Sequence, residues 1–76
     1  MTPKTLSEDV VHLGRPGRVA QVVLSPGDEY DLIERSASGL QYSRVHGVPI
    51  VCHRDCQHSY AITYDPAGMP LFHILS

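Results

Sequence analysis

The stretch that decides the fold is residues 18–39, which read RVAQVVLSPGDEYDLIERSASG. Its first part, residues 18–24, is rich in valine and leucine, which predicts a strand buried on most of both faces. Ser25 then precedes Pro26, and a residue before proline favours the extended backbone that a helix N-cap adopts. The stretch therefore predicts a buried strand that leads directly into a helix.

The second part of this stretch carries the signals of a helix that packs on a sheet. Pro26 suits the first helical position, and Gly39 suits the left-handed residue that often follows a helix. Tyr30, Ile33 and Ala37 lie on one face at helical spacing. Because a sheet must bury an apolar face, we expect these three side chains to pack against it.

Beyond Gly39, apolar and polar residues alternate, which indicates strands. Four further strands are predicted, over residues 40–45, 48–52, 60–64 and 70–75. His46 and Gly47 are expected to form a two-residue hairpin turn, because glycine accepts a positive φ and histidine does so more often than most residues. Residues 65–68, DPAG, have the residue order of a β-turn.

These elements predict a single α+β domain over residues 6–76, preceded by a flexible segment, residues 1–5. Residues 6–14 form either a short helix, capped by Ser7 and ended by Gly14, or an edge strand. Short connections usually join neighbouring strands, so the last four strands are expected to form an antiparallel meander. The expected architecture is a mostly antiparallel four- to five-stranded sheet with one helix on one face, in the order β-α-β-β-β-β.

Composition limits the classes of function. The chain has 76 residues, of which 42% are hydrophobic, and this fits one small globular domain. Its formal net charge is -2 and its six basic residues are scattered, which argues against direct binding of nucleic acid. No apolar run is long enough for a signal peptide or a membrane span, so a cytoplasmic location without membrane contact is expected.

Both cysteines lie within residues 51–58, VCHRDCQH. Cys52 and Cys56 have the spacing of zinc ligands, and His58 adds a third donor. A zinc site is therefore one interpretation, although three donors are a weak sequence signal. A disulfide or a nucleophilic cysteine are further alternatives, but a reducing compartment and the lack of a converging base argue against them. The favoured interpretation is structural, with no cofactor: a polar hairpin tip, in which Cys52 packs inward as a small apolar residue.

The densest charge feature is an acidic run on the predicted helix, formed by Asp28, Glu29, Asp31 and Glu34. Carboxylates near a helix N-terminus are favoured by the helix dipole, so a solvated structural role explains them. Their functional interpretation is an acidic surface that docks on a basic surface of another protein or nucleoprotein complex. These four residues are the predicted partner-binding residues.

The sequence contains no phosphate loop, paired-carboxylate motif or helical metal motif. It therefore predicts a non-enzymatic protein-binding module, an inhibitor or adaptor that blocks a larger complex, as a monomer or homodimer. Phage-encoded inhibitors such as anti-CRISPR proteins are the favoured example, from size and charge alone. The alternative is a small zinc-stabilised binding domain that uses Cys52, Cys56 and His58 and contacts nucleic acid. Tyr42, Tyr60 and Tyr64 are half-buried sheet residues or, if they form an exposed patch, interface anchors.

Overall fold

The computed structural model describes residues 1–14, 18–34 and 44–75, apart from the side chain of Glu34. The elements in these residues are α1 (Pro3–Leu13), β1 (Arg18–Leu24), α2 (Pro26–Glu34), β2 (Arg44–Val45), β3 (Val48–Cys52), β4 (Tyr60–Tyr64) and β5 (Pro70–Ile74). The described part of the chain is thus an α+β structure, which confirms the predicted class. The first residues of the predicted strand 40–45, with Tyr42, lie outside the described residues.

The strands form one sheet in the order β2-β3-β1-β4-β5. β1 runs parallel to β3 and antiparallel to β4, and the β2–β3 and β4–β5 pairs are antiparallel. The predicted meander is therefore wrong, because β3 and β4 are separated by β1. The physical reason lies in β1, where Val22, Val23 and Leu24 are all buried and require neighbours on both sides.

The helical alternative is correct for the N-terminal segment, but α1 begins earlier than predicted. Thr2 caps it: its hydroxyl accepts a hydrogen bond from the Thr5 amide (3.2 Å), and the Thr2 amide donates to the Thr5 hydroxyl (3.0 Å). Pro3 occupies the first helical position, as proline often does. Residues 1–5, predicted to be flexible, thus contain the cap and first turn, whereas Ser7 lies inside the helix. The end at Gly14 is as predicted.

The helix α2 presents a different face to the sheet from the one predicted. Leu32 is 1% exposed, whereas Tyr30 is 64% exposed and Ile33 is half-buried. The expectation that Tyr30 packs inward is therefore wrong, and Ala37 lies outside the described residues. The β1–α2 junction is a single residue, Ser25, and this short connection sets the rotation of the helix.

Both helices pack on the same face of the sheet. The core between the layers contains Leu6 and Val10 of α1, Leu32 of α2, Val19, Val22 and Leu24 of β1, Ala61 of β4, and Leu75. A core of this size is small, which is expected of a short chain. Burying one large aliphatic side chain contributes about 1.5–3 kcal/mol, so each of these residues matters to stability.

Both predicted turns are confirmed. His46 and Gly47 have positive φ values of 49° and 78° between β2 and β3, as a type I′ hairpin turn requires. In the β4–β5 turn the Gly68 amide donates to the Asp65 carbonyl (2.9 Å), and Gly68 also has a positive φ, 85°. The side chain of His46 contacts α1, because its Nε2 lies 2.6 Å from the Ser7 hydroxyl.

Candidate interaction surface

The sheet has a second face, opposite the helices, and side-chain alternation defines its residues. Directly paired residues lie on the same face, so Val23 shares this face with Val51 and Tyr60, and Ile62 shares it with Phe72. We call this surface the open face. Its large apolar side chains are Val23, Val51, Tyr60, Ile62, Tyr64, Phe72 and Ile74, and the polar Gln21, which pairs with Ile62, lies on it as well.

The open face is apolar and its outer part is exposed. Ile74 is 70% exposed, Phe72 64%, Tyr64 50% and Val51 40%, whereas Val23 is buried by its neighbours. The rings of Tyr60 and Phe72 meet edge to face, with centroids 5.8 Å apart. The exposed apolar area is on the order of 400 Å², which is within the range of interaction sites.

Charge is distributed unequally between the two sides of the sheet. Two arginines lie at the margins of the open face: Arg18 pairs with Tyr64, and Arg44 pairs with Pro49, which precedes Val51 by two residues on β3. Three acidic residues of α2, Asp28, Glu29 and Asp31, lie in the helix layer. A partner that binds the open face therefore meets an apolar centre with positive charge at its border.

The predicted acidic binding residues are engaged within the molecule. The Asp28 carboxylate accepts a hydrogen bond from the Ser59 hydroxyl. The amino group of Met1 lies 3.4 Å from the Asp31 carboxylate and 3.8 Å from that of Asp28. Glu29 is a neighbour of Cys52. The side chain of Glu34 lies outside the described residues, so the acidic docking surface stays a prediction.

Cys56 lies in a crossover connection that begins after Cys52, the last residue of β3, so the predicted hairpin tip is wrong. Residues 53–59 lead from β3 past the end of β1 to β4. The His53 amide donates to the carbonyl of Leu24, the last residue of β1 (3.1 Å), and the Cys56 amide donates to the His53 carbonyl (3.0 Å). The first bond satisfies the carbonyl at the end of the central strand, and the second forms a turn within the connection.

Both cysteines are free thiols, and the exposure of Cys52 differs from the prediction. Cys52 is exposed, so the prediction that it packs inward is wrong; it is the last residue of β3, where the sheet ends. Cys56 is half-buried, and its Sγ donates to the His58 carbonyl (2.9 Å). Within residues 1–14, 18–34 and 44–75, no three His, Cys, Asp or Glu side chains are placed to hold a metal ion. The zinc hypothesis stays a prediction.

The surroundings of Cys52 favour the neutral thiol. Desolvation by the surrounding chain raises the pKa of Cys52 above its ordinary value, and the Glu29 carboxylate raises it further by hydrogen bonding and by its negative charge. Nucleophilic cysteines have the opposite arrangement, a pKa lowered by positive neighbours. The negative Glu29 beside Cys52 is therefore the opposite of the surroundings that activate a nucleophilic cysteine.

The Glu29→Gln variant is expected to speed the alkylation of Cys52. Removal of the negative charge lowers the pKa of the thiol, so the reactive thiolate fraction rises at any pH below that pKa. The measurement is the iodoacetamide rate at about pH 8, in a Cys56→Ser background that isolates Cys52. Glu8→Gln, a change on the exposed surface of α1, is the matched control. An unchanged rate in Glu29→Gln contradicts the influence of this carboxylate.

The sequence indicated only part of the open face. The sequence offers Tyr60 and Tyr64 as interface anchors, but it gives no prediction for Val51, Phe72 or Ile74. The available signal was the last strand, PLFHI, in which His73 is the only polar residue. An antiparallel strand with only one covered face normally alternates with polar residues, so this pattern indicates an uncovered apolar surface.

None of the helices in the described residues is both long and apolar enough to cross a membrane. No protein-family model matches the chain, and comparisons with curated proteins and with solved structures found no significant similarity.

Proposed function

We propose that the protein is a non-enzymatic protein-binding module that binds its partner through the open face. The observation that carries this proposal is the run of exposed apolar side chains, Val51, Tyr64, Phe72 and Ile74, on one side of the sheet. Contiguous exposed apolar patches of a few hundred Å² are often functional, and binding of another protein is the usual function. Tyrosine and phenylalanine are enriched at interface cores, and tyrosine is among the residue types that most often dominate binding energy.

The chemistry of the open face indicates the kind of partner. Its centre fits an apolar surface or an amphipathic segment, and the bordering Arg18 and Arg44 fit carboxylates around it. Such a module acts in the cytoplasm as an inhibitor or adaptor that covers a site on a larger protein or nucleoprotein complex. A phage-encoded, anti-CRISPR-like inhibitor is an example consistent with the size and charge of the chain.

The test is affinity capture from the native host with matched variants. We expect Tyr64→Ser to reduce the captured partner at least about tenfold, because truncation of an interface aromatic costs about 2 kcal/mol or more. Tyr30→Ser is the matched control, since Tyr30 is also exposed (64%, against 50% for Tyr64) but lies on the helix side. Circular dichroism establishes that both variants fold.

The same experiment tests the acidic surface of α2. An Asp31→Asn variant neutralises one of the described acidic residues. If the partner docks on α2, both this variant and Tyr30→Ser should capture less of it. Capture that depends on Asp31 and Tyr30 but not on Tyr64 contradicts binding through the open face. Equal capture by all variants contradicts both surfaces.

A further inference from the structure

The two edge strands of the sheet, β2 and β5, differ in their charged residues. β2, at one edge, is two residues long and includes the charged Arg44. β5, at the other edge, is five residues long, and residues 66–75 contain no Asp, Glu, Lys or Arg. Short strands and charges protect an edge from pairing with another strand. Within the described residues β2 has the protecting charge of Arg44, whereas β5 has no charge, and its one proline, Pro70, is at its first position.

The hydrogen bonds of β5 show which backbone groups face outward. The Asp65 amide donates to the Met69 carbonyl (3.0 Å), and the Leu75 amide donates to the Ser59 carbonyl (2.8 Å). Hydrogen-bonded pairs alternate along an antiparallel ladder, so Leu71 and His73 also direct their backbone groups toward β4. The amide and carbonyl groups of Phe72 and Ile74 therefore point away from the sheet, where the described residues provide no strand.

We propose that a second copy of this chain pairs with β5 along this edge, antiparallel and related by a two-fold axis. The pairing satisfies the outward amides and carbonyls of Phe72 and Ile74. A two-fold axis brings identical residues close together, which is unfavourable for charged strands. β5 has no permanently charged residue, and its exposed Phe72 and Ile74 side chains form apolar cross-strand pairs.

The dimer has a consequence for the surface that binds other proteins. Edge pairing joins the two sheets, so the two open faces become one continuous apolar surface of about twice the area. The uncharged β5 edges are both used in this pairing, and the β2 edges with the charged Arg44 lie at the two outer ends, so assembly stops at two copies. The pairing itself depends on backbone groups, so it does not rest on the proposed function, and either can fail alone.

The test measures the molar mass of the purified chain by sedimentation from about 10 μM to about 1 mM, the range of weak association. We expect the mass to rise from 8.4 kDa toward twice that value and no further. Ile74→Pro removes an outward amide that β4 does not use, whereas Ile74→Thr keeps the amide and the β-branched shape. Ile74→Pro is expected to dimerise at least about tenfold more weakly than Ile74→Thr.

Amide hydrogen exchange of the wild-type chain gives a second measurement that needs no variant. As the concentration rises, the amides of Phe72 and Ile74 should gain protection, while those of Leu71 and His73 are protected throughout. A monomer at every concentration overturns the proposal. So do oligomers larger than a dimer, equal dimerisation of the Pro and Thr variants, and protection gained elsewhere than β5. Tyr64→Ser should leave the mass unchanged, which separates this test from the capture experiment.

Discussion

Replacing Leu32 by alanine is expected to lower the free energy of unfolding by about 2–4 kcal/mol, whereas Tyr30→Ala should change it by less than about 0.5 kcal/mol. Leu32 is 1% exposed and is the residue that α2 contributes to the core, so its truncation leaves a cavity against β1. Tyr30 is two residues away on the same helix but lies mostly in solvent. The pair therefore measures which face of α2 is packed.

The measurement is urea unfolding followed by circular dichroism. A domain of this length has a total stability of about 5 kcal/mol, so Leu32→Ala should be partly unfolded at 37 °C. Leu32→Val is a milder variant that keeps the chain folded if the alanine variant does not fold. Equal losses for Leu32→Ala and Tyr30→Ala, or a larger loss for Tyr30→Ala, contradict the observed helix rotation.

The face of α2 was predicted wrongly because helical spacing alone allows several apolar stripes on a short helix. Tyr30, Ile33 and Ala37 form one such stripe, but Leu32 is the residue that meets the sheet. The choice between them depends on the direction in which the chain leaves β1, and that is set by Ser25 and its tertiary contacts. Local signals predicted the existence and start of the helix, since proline restricts the backbone around it.

The strand positions were predictable and their order was not. Turn residues fix where strands begin and end, and the His46-Gly47 and Asp65–Gly68 turns lie where predicted. Strand order depends on which strand is central, with another strand paired along each of its two edges. The apolar character of β1 contained this information, but a short connection from residues 53–59 suggested a hairpin instead. This connection is long enough to pass the end of one strand.

The open face could not be recognised as a site from the sequence because its residues belong to four strands, β1, β3, β4 and β5. They become one surface only through the register, which places Val51 and Tyr60 on either side of Val23. The acidic run on α2 was visible because its residues are adjacent in sequence. Contacts with Met1 and Ser59, distant in sequence, then engage Asp28 and Asp31 within the fold.

Replacing Ser59 by alanine is expected to lower the free energy of unfolding by about 1–3 kcal/mol, a large effect for the loss of one hydroxyl. Ser59 is buried, and its Oγ accepts a hydrogen bond from the Ser25 amide (2.9 Å) while donating to the Asp28 carboxylate. Without the hydroxyl, the buried Ser25 amide has lost its acceptor, and an unsatisfied buried donor costs more than a typical hydrogen bond contributes.

Ser7→Ala is the matched control, because the Ser7 hydroxyl also bonds a distant residue, His46, but in an exposed environment. Its expected loss is below about 1 kcal/mol, since water replaces the lost partner. Urea unfolding measures the free energy of unfolding of both variants. The hydrogen-exchange rate of the His53 amide reports on the stability of the crossover connection. Ser59 anchors the end of this connection at the start of α2, so Ser59→Ala should also speed exchange at His53, whose amide bonds Leu24. Equal losses in the two serine variants would mean that the buried hydroxyl does not hold the β1–α2 junction to the sheet.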